Sequence, residues 1–310
     1  MYEKLLQLDS VQLNFSTGGL LVLNIAVGFL MFSVALDIKW EQFKHIFKAP
    51  KAAIVGLVCQ FLLLPLFTFL FVWCASSWIT PGVAFGAILI AACPGGNASN
   101  FINALAKGNT ALAVTLSAIG TMAAIVMTPF NFQFYGSLYM KHSPLNVPLE
   151  IDPIDITKTV LILLGVPIVL GILIAYKYPN FVAKVKKPIK IISLILFATI
   201  VVLSFQNNYS FFIQYIHLMF FFVLFLNGGA LVFSYWISRA CKLSIKDCRT
   251  LSIETGIQNS ALALALIFNP KIFPPDLHIG AIAFIAAWFA VWQMIACTGL
   301  AFYWRKRPAK

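Results

Sequence analysis

Of the ten Asp and Glu residues in the chain, only Glu254 falls inside a long apolar stretch; the other nine fall in polar segments or at the ends of apolar ones. A carboxylate at membrane depth costs about 3 kcal/mol on insertion scales and marks function by default. The bland alternative is a structural glutamate, protonated or paired with a buried base. No Lys or Arg lies inside any other apolar stretch to supply that base, so a mobile cation is the natural counter-charge. Thr255, Gln258, Asn259 and Ser260 put oxygens beside Glu254, and Asn97, Ser99 and Asn100 form a second polar cluster in another apolar stretch. Gln60 and Ser117 are further oxygen donors inside apolar stretches. One carboxylate among many neutral oxygens suits a hard monovalent ion, and sodium is the expected coupling ion. Proton coupling through Glu254 is the alternative, and it leaves the surplus of amides unexplained.

The elements that carry these residues are long and greasy. The 310 residues are 61% hydrophobic and 10% charged, against roughly 25% charged in an average soluble domain. Runs of about 20 apolar residues recur, each able to cross a hydrocarbon core about 30 Å thick. Spans are expected at 19–36, 52–74, 82–106, 109–131, 157–176, 188–205, 212–238, 249–269 and 278–303. The basic residues test that count. With the N-terminus outside, only Lys4, Lys141, Lys158 and Lys271 of the 22 Lys and Arg residues fall on the outer side. Such a bias predicts nine spans with the C-terminus in the cytoplasm. It also removes nucleic acid as a partner, because the net charge of +12 is spread over short loops. Residues 1–18 carry Glu3, Lys4 and Asp9 with no apolar run, so they are expected to be an extracytoplasmic segment and not a cleaved signal. Residues 19–310 form one expected transporter domain, with a cytoplasmic tail at 304–310.

Two of these spans are expected to be broken. In the third, Pro94-Gly95-Gly96 interrupts the apolar run just before Asn97-Ala98-Ser99-Asn100, and proline followed by glycines ends a helix. In the eighth, Gly256 stands amid Glu254, Thr255, Gln258, Asn259 and Ser260. Freed backbone groups survive in lipid only where they face protein or a polar cavity. One interrupted span in each half points to inverted repeats with a site near the midplane. The expected repeats run about 19–133 and 157–303, joined by a longer, acidic outer loop at 134–156.

Other residues carry weaker signals. The six cysteines form no CxxC pair and read as small apolar fillers apart from Cys241 and Cys248. The four histidines form no HExxH motif, and His217 has no GxSxG serine to serve, which argues against a metallohydrolase or an intramembrane hydrolase. The chain is not expected to be an enzyme. Asn227-Gly228-Gly229 reads as close helix packing, with Asn227 as an alternative repeat partner of Gln60.

The sequence Pro94-Gly95-Gly96-Asn97-Ala98-Ser99-Asn100, followed by Gly108-Asn109, resembles one signature of the bile acid:sodium symporter family. Glu254-x-Gly256-x-Gln258-Asn259-Ser260 resembles its partner signature, and Gln60 with Pro65 matches a third family position. The resemblance covers nearly the whole chain. It implies an all-α polytopic membrane protein with two crossed, discontinuous helices, a core domain and a panel domain. It implies two sodium sites: Ser99, Asn100, Ser117 and Glu254 in the first; Gln60, Glu254, Thr255, Ile257 and Gln258 in the second. The chain departs from bacterial relatives at Ala113, where a hydroxyl ligand often stands one turn before Ser117, and its first span is expected to correspond to the start of the nine-helix members, after the extra N-terminal helix of many bacterial ones.

Half-helix N-termini present free N–H groups and partial positive charge, which suit a carboxylate or sulfate. Asn97 and Ala98 are therefore the expected substrate contacts, with Asn259 opposite. Resemblance adds Gln293, in Trp292-Gln293-Met294 of the last span. The expected function is sodium-coupled symport of small organic anions, bile-acid-like or pantoate- and keto-acid-like carboxylates, by alternating access. A proton-linked or uncoupled organic anion exporter on the same fold is the alternative, and a channel a more distant one. Expected surroundings are the lipid bilayer, a bacterial inner membrane, with no obligate protein partner.

Overall fold

The computed structural model describes residues 2–9, 17–38, 50–96, 98–142, 153–207, 209–269, 272–273 and 279–307. All regular structure among them is helical. The elements are α1 (Tyr2–Asp9), α2 (Thr17–Ala35), α3 (Pro50–Cys74), α4 (Pro81–Ala92), α5 (Ala98–Leu105) and α6 (Thr110–His142). They continue with α7 (Ile154–Lys177), α8 (Pro179–Asn207), α9 (Tyr209–Ala240), α10 (Ile245–Gly256), α11 (Ser260–Ile267) and α12 (Gly280–Arg305). Pro50–Cys74, Thr110–Lys141, Ile154–Lys177, Ile213–Ala240 and Gly280–Arg305 are each long and apolar enough to cross a membrane. Asn24–Ala35 and Pro81–Ala92 are shorter apolar helices.

Local sequence accounts for the irregularities. Pro65 has no N–H to give Phe61, four residues earlier. The helix widens into a π turn over Cys59–Leu63, and the Phe61 carbonyl instead accepts a hydrogen bond from Asn131 Nδ2 of α6 at 2.9 Å. That turn carries Gln60. Proline also disfavours the helical region for its predecessor, and Cys93, before Pro94, ends α4 in an extended conformation (φ −72°, ψ 156°). The fourth apolar stretch differs from expectation in length: α6 runs on to His142, because Phe132–Tyr139 is packed against the core and continues the helix beyond residue 131.

Packing falls into neighbourhoods. α2 lies along both α7 and α8. Its approach to α7 is so close that a Cβ on Gly171 would sit 2.5 Å from Ala35 Cβ and 2.9 Å from the Phe32 carbonyl. Elsewhere α9 lies along α10, and α12 packs on α4, α9 and α11. Of the apolar halves of the two interrupted stretches, α11 is buried along its whole length and α4 at every residue but Gly82. The amphipathic α1 buries Leu5 and Leu8 and packs on α12 and α9, and its Asp9 accepts a hydrogen bond from Thr80 Oγ at the start of α4 (2.9 Å).

Candidate functional site

The gap between α4 and α5 meets the gap between α10 and α11. Gly95 and Gln258 pair as a short antiparallel bridge. Gly96 N–H donates to the Ile257 carbonyl and Asn259 N–H to the Pro94 carbonyl, each at 2.8 Å. Contact this close requires glycine, since a Cβ at Gly96 would stand 2.9 Å from the Gln258 carbonyl oxygen.

A buried carbonyl without a donor is costly, and the breaks release several. Four of them take side-chain donors. At the end of α4 the Ala92 carbonyl takes Thr128 Oγ (2.8 Å) and the Cys93 carbonyl takes Gln60 Nε2 (3.0 Å). At the end of α10 the Thr255 carbonyl takes Gln258 Nε2 (2.6 Å) and the Gly256 carbonyl takes Asn227 Nδ2 (2.7 Å). Gln293 of α12 clamps the Gln258 backbone from both sides: its Oε1 accepts from Gln258 N–H (2.8 Å) and its Nε2 donates to the Gln258 carbonyl (3.0 Å). The same Nε2 lies 3.2 Å from Ser260 Oγ.

Glu254 sits on the last turn of α10, 6% exposed. Ser99 Oγ of α5 donates to one carboxylate oxygen at 2.7 Å and Ser117 Oγ of α6 to the other at 3.1 Å. Asn100 Nδ2 donates in turn to Ser117 Oγ (3.0 Å), and Asn100 Oδ1 is a buried acceptor with no donor among the described residues. Among the described residues no Lys, Arg or His pairs with Glu254. A small cavity beside it is lined by Gly56, Leu57, Gln60, Gly95, Leu116, Gly120 and Glu254. Gln60 Nε2 reaches across to Gln258 Oε1 at 2.7 Å. The residues expected to hold a cation are therefore neighbours, drawn from α3, α5, α6 and α10. Ala113, one turn before Ser117, is fully buried.

The expected substrate residues are less uniform. Asn97 lies outside the described residues. Ala98 opens α5, and Asn259 caps α11 through its Oδ1, which accepts from Leu262 N–H at 3.1 Å. Asn259 Nδ2 faces Met31 Sδ of α2 at 3.7 Å. Gln293 has both ends of its amide engaged by the α10–α11 connection, so its structural task is to hold that backbone.

Sequence reasoning did not single out three contributors: Thr128, Asn131 and Arg249. The first two are lone polar groups opposite freed carbonyls, which only the fold identifies. Arg249 is 3% exposed, donates to the carbonyls of Ala106 and Arg307, and stacks over Trp304. Its position at the start of an apolar stretch made it read as a loop charge.

Comparison with known proteins agrees with this geometry. A family model described as Sodium Bile acid symporter family matches residues 24–215. The chain is 30% identical over 291 residues to an uncharacterized sodium-dependent transporter of Bacillus subtilis (strain 168), covering 93% of this chain and 84% of that one. It is 28% identical over 296 residues to a probable chloroplastic sodium/metabolite cotransporter of Oryza sativa subsp. japonica, covering 91% of this chain and 64% of that protein. To the ileal sodium/bile acid cotransporter of Oryctolagus cuniculus it is 26% identical over 280 residues, 87% of this chain and 78% of the other. With two interrupted helices meeting at a buried glutamate, and similarity along nearly its whole length, the chain belongs to the sodium bile acid symporter family: integral membrane, sodium-dependent transporters, not enzymes.

Proposed function

We propose that this protein takes up small organic anions in symport with sodium, using Glu254 as the charge that binds the ion. The single observation that carries the reading is the setting of Glu254: a buried carboxylate that accepts from the Ser99 and Ser117 hydroxyls beside a small cavity shared with Gln60, with no basic partner among the described residues. Sodium supplies the missing positive charge. One ion sits among Ser99, Asn100, Ser117 and Glu254, using the unpaired Asn100 Oδ1. A second sits between Gln60, Glu254 and Gln258 with the carbonyls of Thr255 and Ile257. For this ion to bind, the Gln60 amide must turn its oxygen inward, since its nitrogen now donates to Gln258 Oε1. The anion docks at the half-helix N-termini, at Asn97, Ala98 and Asn259, where N–H groups and dipole favour negative charge. Gln293 contributes by fixing the Gln258–Ser260 backbone beside them.

Coupling follows from shared parts. The first ion binds α5 and α10, the second binds α10 and the α10–α11 connection, and the anion binds the starts of α5 and α11, so each ligand orders the crossing that the others need. In this reading α2, α7 and α8 form the panel that rocks against the other helices, the nine spans form inverted repeats, and the N-terminus lies outside a bacterial inner membrane. Bile-acid-like and pantoate- or keto-acid-like carboxylates share the required chemistry. Sodium/metabolite and sodium/bile acid cotransporters among the relatives support that class.

The test is anion flux into vesicles of purified protein with sodium or choline outside. Sodium should drive accumulation, and Glu254→Ala should abolish the sodium-dependent part. Equal flux in choline, or unchanged sodium dependence in the variant, would sink the proposal.

A further inference from the structure

Glycine at 256 is enforced by packing. A Cβ there would run into Leu231 Cδ2 and lie 2.9 Å from Leu231 Cγ. Yet glycine also frees the backbone to rotate, at the point where α10 ends and its last carbonyls turn toward the expected ion. The peptide joining Gly256 to Ile257 shares its Cα atoms with the peptides that present the Thr255 and Ile257 carbonyls. If it rotates, both move.

That peptide is restrained at both ends: its N–H donates to the Ile253 carbonyl (3.0 Å), and its carbonyl is held by one side chain. Asn227 of α9 is fully buried and donates its Nδ2 to the Gly256 carbonyl at 2.7 Å. The arrangement matches the other break, where Gln60 of α3 donates to the Cys93 carbonyl at the end of α4 (3.0 Å). Each interrupted helix thus has its final carbonyl held by an amide from a neighbouring helix. The difference is telling. Gln60 reaches on to Gln258 and lines the cavity at Glu254, whereas Asn227 Oδ1 has no hydrogen-bond donor among the described residues. A buried amide kept with an unsatisfied oxygen costs stability, so its donor must offset that cost.

We infer that Asn227 is a positioning residue for sodium: it touches no ion, and it sets ion affinity by locking the Gly256–Ile257 peptide so that the Thr255 and Ile257 carbonyls face the second site. The inference rests on the sodium reading above. An apolar replacement of similar size removes the lock, frees the glycine and leaves the Gly256 carbonyl to compete for other donors. Sodium then has to order a mobile turn as well as bind to it.

The experiment measures sodium-dependent thermal stabilisation of purified, detergent-solubilised protein, with choline as the control ion and no organic substrate present. The wild type gives a saturating sodium curve. Asn227→Leu shifts its midpoint up about tenfold, the equivalent of one buried hydrogen bond. Asn227→Thr, smaller and tolerated in apolar helices, does the same and serves if the leucine variant does not elute as folded protein. Ser234→Ala, which removes a hydroxyl bonded only within α9, leaves the midpoint unchanged even where it lowers the melting temperature. A wild type indifferent to sodium refutes the sodium reading and this inference with it. A sodium-responsive wild type with unmoved midpoints in both Asn227 variants refutes this inference alone.

Discussion

Glu254 accepts from two serines that lie on different helices, and Asn100 extends the set through Ser117. In the proposed first sodium site these are neutral ligands, and the number of them governs how tightly a monovalent ion is held. Ala113 bears on that number. It is fully buried one turn before Ser117 on α6, where a serine would add one neutral oxygen beside the proposed first site. Ala113→Ser should therefore lower the sodium midpoint of thermal stabilisation by about threefold, the order expected of one added neutral ligand. A rise in the midpoint would show that the serine strains the site instead of serving it.

At the scale of elements, the meeting of the two breaks is a backbone event. Gly96 is its tightest point, and Gly96→Ala pushes a methyl against the Gln258 carbonyl. The bridge must open by a few tenths of an ångström, at a cost of about 1–3 kcal/mol. The expected outcome is a lower melting temperature in detergent together with loss of sodium-driven flux. Wild-type flux in this variant would show that contact between the breaks is dispensable. The neighbouring polar groups make a similar point. Thr128, Asn131, Gln60, Asn227 and Gln293 all donate to main-chain carbonyls, and their common task is to let broken helices exist in a dry interior.

For the whole molecule, orientation is the first question. Cys74 is exposed at the end of α3, Cys241 is partly exposed after α9, and Cys59, Cys93, Cys248 and Cys297 are buried. In the proposed orientation, N-terminus outside, Cys74 faces the outside and Cys241 the inside. A membrane-impermeant maleimide applied to intact cells should label Cys74 alone, with Cys241 reacting only after permeabilisation; the reverse pattern would invert the topology. The docking of α1 offers a second test. Burial pushes the Asp9 carboxyl up to about 6, outweighing the hydrogen bonds from Thr80 and the Gly82 backbone that pull it down. Docked α1 thus holds a proton more tightly than undocked α1, whose carboxyl titrates near 3.8. Docking is strongest below that value and weakens as pH rises through about 6. Hydrogen exchange at the Leu5 and Leu8 amides, corrected for intrinsic rates, should be slower at about pH 5 than at about pH 7.5. Asp9→Asn should remove the difference.

Composition and periodicity alone were enough for the membrane class, the helical class, the two interruptions at Pro94–Gly96 and Gly256, and Glu254 as the residue of interest. These are local or one-dimensional properties: an apolar run must be helical in lipid, a proline cannot donate, and a lone carboxylate in such a run stands out whatever surrounds it. Only the tertiary structure could decide which oxygens face Glu254, that Gln293 grips backbone, and that Arg249 is buried. It also paired Asn131 with the carbonyl that Pro65 leaves free and Asn227 with Gly256. Those pairings join helices far apart in sequence. The amide that satisfies a freed carbonyl can come from any neighbour, and nothing in the spacing of residues along one helix says which neighbour that is.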